Sequence, residues 1–343
     1  MSTGYVYHPI YLQHETGEHP ERPDRLTSIH DALRGEGLLD LLQPIEPREA
    51  TLEELLAVHT EQHVRYVEQV ARSGGGYMDP DTVVSTRSYD AALMAAGGAI
   101  RAVEAVLDGK VSNAMALVRP PGHHATTNRA MGFCLFNNVA VAARAVQKTF
   151  GLGRILIADF DVHHGNGTQD AFQADDSVLY YSTHEYPHYP GTGFYDETGT
   201  GKGEGYTVNV PLPAGVGDHG YRRAFEEILV PVARRFGPEL IIVSAGYDAH
   251  WADPLAMMQL TVTGFGTLAG VLKSLAAELC GGKIVACLEG GYHLRALAYS
   301  VVATLSVFMG HDFDDPLGSG HRSRAEPDID ALLTTIRRIH KLG

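Results

Sequence analysis

Asp159, Asp161 and His163 alternate with Phe160 and Val162. In an extended chain successive side chains point to opposite faces, so the two carboxylates and the imidazole share one face, two residues apart. Crowded and unpaired they would be costly, and a divalent cation would offset their repulsion. With Asp248 arriving from a later segment, Asp161, His163 and Asp248 supply three nitrogen and oxygen ligands and leave a position for water. That is the pattern of a catalytic zinc site rather than a closed structural one. A plainer use remains open: the carboxylates could cap the helix that begins near Gly167, and Asp248 could be an ordinary turn residue.

Two other segments carry groups suited to proton transfer and charge stabilisation. Arg119-Pro-Pro-Gly-His123-His124 is a rigid turn that could hold two imidazoles together. A neutral imidazole accepts a proton near pH 7 and can return it to a leaving amine. Tyr292 follows two permissive glycines and could donate its hydroxyl to an oxyanion. Alone, the histidine pair would be a surface turn and the tyrosine a packing residue. Metal ligands, a base pair and an oxyanion donor in one chain argue for a hydrolytic centre.

The elements that must position these groups are legible as apolar, β-branched runs: Ala116 to Val118, Ile155 to Ala158, Val178 to Tyr181, Thr207 to Val210, Leu240 to Ser244 and Ile284 to Leu288. Another strand is expected around Tyr5 to Tyr7. Helical spacing fills Asp90 to Leu107, Asn138 to Phe150, Tyr221 to Phe236 and Phe265 to Leu279, and Pro23 is placed to open a helix carrying Leu26, Ile29 and Leu33. Strand alternating with helix predicts an α/β fold with a mainly parallel sheet covered on both faces. Ligands bind beyond the carboxyl ends of such strands, where all four polar segments fall.

A single domain over residues 1–343 is expected, since no linker or internal repeat divides the chain. Its 41 acidic and 27 basic residues give a formal charge of −14, which would repel a phosphate backbone and argues against nucleic-acid binding. Cationic partners such as lysine-rich tails or polyamines suit that charge, although solubility alone accounts for it. The three cysteines, Cys134, Cys280 and Cys287, sit among apolar neighbours and suit a reducing cytoplasm. No secretory signal or membrane span is read, so a soluble cytoplasmic protein is expected.

Taken together the motifs strongly resemble the histone deacetylase family, in its class II-like branch with the bacterial deacetylase-like amidohydrolases and acetylpolyamine amidohydrolases. The likeness runs from about Tyr7 to Gly310. It rests on His-Pro-Glu-Arg-Pro at 19 to 23, Arg-Pro-Pro-Gly-His-His at 119 to 124, Gly-Phe-Cys at 132 to 134, Asp-Phe-Asp-Val-His-His-Gly-Asn-Gly-Thr-Gln at 159 to 169, Pro-Gly-Thr-Gly at 190 to 193, Asn-Val-Pro-Leu at 209 to 212, Gly-Tyr-Asp-Ala at 246 to 249 and Glu-Gly-Gly-Tyr at 289 to 292. The resemblance implies an arginase-like three-layer α/β fold with a central eight-stranded parallel sheet flanked by helices. It implies a zinc-dependent amidohydrolase that deacylates acyl-lysine side chains, with one zinc on Asp161, His163 and Asp248, which iron can sometimes replace.

By the same resemblance His124 is the general base and then acid, His123 an electrostatic partner bonded to Asp159, and Tyr292 the oxyanion donor. A structural potassium ion would lie on Asp159, Asp161 and His163 by backbone oxygen with Ser182 and Thr183, and a second near Phe172, Val178 and Tyr206. Gly132, Phe133, Tyr189, Leu255, Gly290 and Asp81 would contact substrate, and Arg25 would line an internal channel through which acetate leaves. Asn166 stands behind His124 where class I members have aspartate, which should help keep His124 neutral. Leu255 stands where polyamine-preferring relatives can carry a glutamate, which favours lysine over polyamine substrates.

The tilt towards lysine is modest, because the acidic net charge favours polyamines too, so a deacetylase of acetylpolyamines or another small acylated amine stays open as the alternative, and two other functions remain in view. An arginase-like two-metal hydrolase would need further aspartates where Gly165 and Asn166 stand, and a catalytically inactive acyl-lysine binder would be expected to have lost part of the set. A homo-oligomer stays open.

Overall fold

The computed structural model describes residues 2–319 and 325–343. Ten strands form: β1 (Thr3–Val6), β2 (Gln43–Ile45), β3 (Gly76–Tyr77), β4 (Val83–Val84), β5 (Asn113–Ala116), β6 (Ile155–Asp159), β7 (Val178–Glu185), β8 (Thr207–Leu212), β9 (Leu240–Ala245) and β10 (Ile284–Leu288). The helices are α1 (Asp24–Gly35), α2 (Leu52–Leu56), α3 (Glu61–Arg72), α4 (Ser88–Leu107), α5 (Asn138–Phe150), α6 (Asn166–Phe172), α7 (Asp218–Ala224), α8 (Val230–Phe236), α9 (Val262–Cys280), α10 (Leu294–Met309) and α11 (Asp330–Ile339).

Eight strands make one sheet in the order β2-β1-β5-β10-β9-β6-β7-β8, and every pairing is parallel. Each residue of β6, β9 and β10 is buried. Their uninterrupted apolar runs, rather than alternating ones, follow from helices covering both faces. The four central strands, β5, β10, β9 and β6, are those that run into the four polar segments, so the order of the sheet itself gathers the candidate site.

Three expectations shift. The strand read at Ala116 to Val118 lies earlier, at Asn113–Ala116, in register with β1 and β10, and Leu117 and Val118 carry the chain out of the sheet into the Arg119 turn. The helix read as continuous from Tyr221 to Phe236 contains a wide turn at Phe225–Leu229. Pro231 has no N–H and its ring crowds the carbonyl one turn back, so the helix widens there. The edge strand β2 was not anticipated, because Gln43-Pro44-Ile45 is short and holds a proline, which only an edge tolerates.

Candidate active site

At the carboxyl end of β6, Asp161 and His163 turn towards Asp248, which follows β9. Their ligand atoms all lie within 4.8 Å of one another, and among the described residues no other such group of metal-ligating side chains occurs. His163 Nδ1 stands 3.1 Å from Asp161 Oδ1 and 3.3 Å from Asp248 Oδ2. Backbone N–H groups reach three of the four carboxylate oxygens. Asp161 Oδ1 accepts from His163 N–H at 2.9 Å and Oδ2 from Gly290 N–H at 2.8 Å, while Asp248 Oδ1 accepts from Val162 N–H at 2.9 Å. Asp248 Oδ2 is buried and makes no hydrogen bond. Burial pulls the His163 imidazole down, but the Asp161 and Asp248 carboxylates outweigh it and push it up to about 10. Two hard carboxylates, one imidazole and an orphaned oxygen facing one point fit a divalent transition metal such as zinc. The carboxylates do not cap α6, whose N-cap is Gly165 with no side-chain bond.

The cradle around these ligands is made of glycine. A Cβ at Gly246 would strike the Asp161 carboxylate, one at Gly290 would strike the carboxylates of Asp248 and Asp161, and one at Gly165 would strike Asp159 and sit 2.6 Å from the Tyr180 hydroxyl. Gly290, expected to touch substrate, thus lies directly against Asp161 and Asp248.

His123 and His124 are 2% and 3% exposed, buried rather than on a surface turn. Their rings lie 4.0 Å apart, and the two differ in what stands behind them. His123 Nδ1–H donates to Asp159 Oδ2 at 3.0 Å, and that oxygen also accepts from the Tyr180 hydroxyl at 3.1 Å. Burial lowers the basicity of His123, but Asp161 and Asp159 push it up to about 10, so it is a cation. His124 Nδ1 lies 2.8 Å from Asn166 Oδ1. Burial, then the positive His123 and His163, hold His124 well below the usual histidine range. With Nδ1–H given to the amide oxygen, His124 keeps a free lone pair on Nε2. A cation beside a neutral base is a division of labour suited to acid–base chemistry.

Tyr292 is edge-on to Phe133, with ring centroids 5.7 Å apart, and the Arg25 guanidinium lies 5.1 Å from its ring centre. Burial keeps the phenol protonated, so its hydroxyl can donate. Arg25, expected in an internal channel, is itself fully buried and donates to Gly291 O at 2.7 Å, to Glu289 O and to Glu21 Oε1 at 3.1 Å. It ties the tyrosine loop to α1.

The rim residues assemble around this centre. Gly132 has φ of 55° and lies so close over the His124 ring that a Cβ would collide with it. Phe133 also adopts a left-handed conformation, φ 70°, and its N–H donates to Thr82 Oγ1 at 3.1 Å. The Thr82 hydroxyl in turn reaches Asp81 Oδ1 at 3.4 Å. Burial and the neighbouring Asp79 push the Asp81 carboxyl up. Tyr189 stands edge-on to His124 at 5.2 Å, and Leu255, partly buried, donates its N–H to Asp253 Oδ1 at 3.0 Å.

Of the residues expected to hold potassium, Ser182 is the register partner of Asp159 on β7, its hydroxyl 2.9 Å from His184 Nδ1, and the Thr183 hydroxyl is buried without a partner. Phe172 packs under the Arg144 guanidinium at 4.5 Å, Val178 opens β7, and Tyr206 O accepts from Tyr180 N–H at 2.9 Å. Tyr206 also lines a large cavity of about 720 Å³ with Arg154, Arg235 and His340. That cavity lies at the amino ends of β6, β7 and β8, opposite the polar loops, and Tyr206 is the one expected site residue among its lining residues.

Four supporting side chains were not singled out from the sequence. Glu289 Oε2 accepts from the N–H groups of Gly122 and His123 at 2.7 and 3.2 Å, fixing the histidine turn, and burial pushes its carboxyl to about 7. Glu21 takes a forked pair from Arg119, Nε–Oε1 2.5 Å and NH2–Oε2 2.9 Å. Tyr180 and Asp253 complete the set. Glu21 and Glu289 sit in recognisable motifs, Tyr180 in a strand and Asp253 in a loop, yet each has partners tens of residues or more away, which no local pattern reveals.

This architecture and centre define a deacetylase-type hydrolase, and the chain belongs to the histone deacetylase family: residues 19–308 match the family model described as "Histone deacetylase domain". It is 46% identical over 316 residues to a "Probable deacetylase" of Archaeoglobus fulgidus, covering 91% of this chain and 88% of that one. It is 43% identical over 330 residues to "Histone deacetylase 14, chloroplastic" of Arabidopsis thaliana (89% and 77% covered). It is 44% identical over 333 residues to the human "Polyamine deacetylase HDAC10" (90% and 48%). The solved "Crystal Structure of HDA15 HD domain" superposes with a TM-score of 0.90 at 40% identity, over 99% of this chain and 94% of that one. The central eight-stranded parallel sheet flanked by helices is the arginase-like fold expected.

Proposed function

We propose that the chain is a zinc-dependent deacetylase that cleaves the amide of acyl-lysine side chains. The observation that carries this reading is the pairing of a three-ligand N/O cluster with two adjacent histidines, one held as a cation by Asp159 and one held neutral in front of Asn166. Asp161, His163 and Asp248 would hold the metal. When bound, zinc supplies a Lewis acid that polarises the amide carbonyl and acidifies the attacking water. His124 Nε2 takes the proton from that water as its oxygen bonds to the carbonyl carbon. The Tyr292 hydroxyl donates to the carbonyl oxygen as negative charge gathers there, and the His123 cation stabilises the same charge. His124 then returns the proton to the amine nitrogen, the C–N bond breaks, and acetate and free amine result.

Leu255 near the rim favours lysine over polyamine substrates, since it offers no charge to a second amine. The human relative's printed name, a polyamine deacetylase, and the acidic net charge support a small acylated amine as the second reading. Acetate release from an acetyl-lysine peptide and from acetylputrescine, each with and without a chelator, separates them. Chelator-sensitive cleavage favouring the peptide is expected. Preference for acetylputrescine would replace the lysine reading, chelator-resistant cleavage would remove the metal, and no cleavage of either would overturn the proposal.

A further inference from the structure

Asp253 lies five positions beyond the metal-cluster residue Asp248, on the loop that follows β9, and is 6% exposed. It touches neither the His pair nor a metal ligand by any hydrogen bond. Its carboxylate instead gathers backbone donors from two loops. Oδ2 accepts from the N–H groups of Tyr292 and His293 at 2.7 and 3.1 Å, and Oδ1 accepts from Leu255 N–H at 3.0 Å. The first two donors belong to the loop after β10, just ahead of α10, whose N-cap is His293. The third belongs to the rim.

From this geometry we infer that Asp253 is the positioning residue of the oxyanion donor: one carboxylate fixes the backbone at Tyr292 and, through its other oxygen, the backbone at Leu255, so that the phenol and the rim residue keep a fixed relation to the Asp248 loop. The inference rests on the role proposed for Tyr292. Two features make the carboxylate suited to this task. Gly290 and Gly291 precede Tyr292, and Gly291 has φ of 116°, so the segment carrying the phenol has little conformational preference of its own. Arg25 holds the carbonyl side of that segment at Glu289 and Gly291, and Asp253 is what holds the N–H side at Tyr292 and His293. Placement within about half an ångström is what such a donor needs in order to act in the transition state.

The test is a double-mutant cycle. Asp253→Ala removes both acceptor oxygens and all three hydrogen bonds, and Asp253→Asn keeps one oxygen for Tyr292 and His293 while placing an amide against Leu255. In the wild-type background Asp253→Ala should lower kcat by 10- to 100-fold with KM changed less than threefold, and Asp253→Asn should recover part of the loss. In a Tyr292→Phe background, Asp253→Ala should cost less than threefold more, because the group it positions has gone. Bound metal per chain and melting temperature, measured for every variant, separate positioning from unfolding. Equal losses in both backgrounds, or lost metal, would make Asp253 a general support and overturn the inference, as would unchanged kcat. If Tyr292→Phe alone leaves kcat intact, it is the proposed role of Tyr292 that fails, a distinct result.

Discussion

His124 and Asn166 meet through a single contact, Nδ1 to Oδ1 at 2.8 Å, and the neutral amide there sets no negative charge behind the imidazole proposed as the base. An amide oxygen accepts a hydrogen bond without adding charge, so burial and the neighbouring His123 cation prevail and His124 stays neutral. In Asn166→Asp a carboxylate would favour the imidazolium. The pKa of the base rises, the base must lose that proton before it can act, and the acid limb of the kcat/KM profile should move to higher pH by about 1 to 3 units. A limb that stays in place would show that His124 is not the titrating base.

Tyr292→Phe removes a hydroxyl and little else, since the ring contacts with Phe133 and Arg25 remain. Loss of one oxyanion donor costs about 2.7 to 4 kcal/mol of transition-state stabilisation, on the order of 100- to 1,000-fold in kcat. Steady-state kinetics beside metal analysis should show that drop at unchanged metal content. Turnover within a few fold of wild type would exclude the phenol from the reaction.

Glu21→Gln should destabilise the fold rather than the chemistry alone. Glu21 is buried between Arg119 and Arg25, and although burial would raise its carboxyl, the two guanidiniums and His14 hold it well below the usual range. Removing one partner of a buried charge cluster costs about 3 to 5 kcal/mol. Urea unfolding at neutral pH measures it, and a change below about 1 kcal/mol would mean the cluster relaxes.

His59 gives the stability a pH dependence. Its Nδ1–H donates to Thr126 O at 2.9 Å and its Nε2 accepts from Asn137 N–H at 2.9 Å, a pairing that only the neutral ring can make. Burial, with His63 beside it, lowers its pKa to about 3. The unfolded chain, titrating near 6.5, therefore binds the proton first, so the contribution is intact above pH 6.5 and lost progressively as pH falls from there towards 3. Urea midpoints should drop between pH 7 and 4.5, and drop less in His59→Asn; equal slopes would refute the assignment.

Much of this was legible because parallel strands leave continuous apolar runs and end in polar loops, so Ile155 to Ala158 announced both a strand and the place of Asp159, Asp161 and His163. The spacing of those three was local, and local spacing survives in sequence. What Asp253 does for Tyr292, or Glu289 for the histidine turn, was hidden because each pairs with backbone N–H groups, and a backbone group has no letter of its own. The widened turn at Phe225–Leu229 escaped for a different reason: helical spacing runs unbroken from Tyr221 to Phe236, while Pro231 falls inside the helix and widens it.

The glycines at 165, 246 and 290 leave the floor of the centre without adjustable matter. With hydrogen atoms in place of side chains against Asp159, Asp161 and Asp248, neither a larger nor a smaller residue can reshape the catalytic end without displacing a ligand or its support. On the proposed reading, divergence in what is cleaved then falls to the residues expected to contact substrate away from these glycines, Phe133, Tyr189, Leu255 and Asp81. The reaction can stay fixed while the choice of acyl amine drifts, as members of one family named for proteins and for polyamines would require.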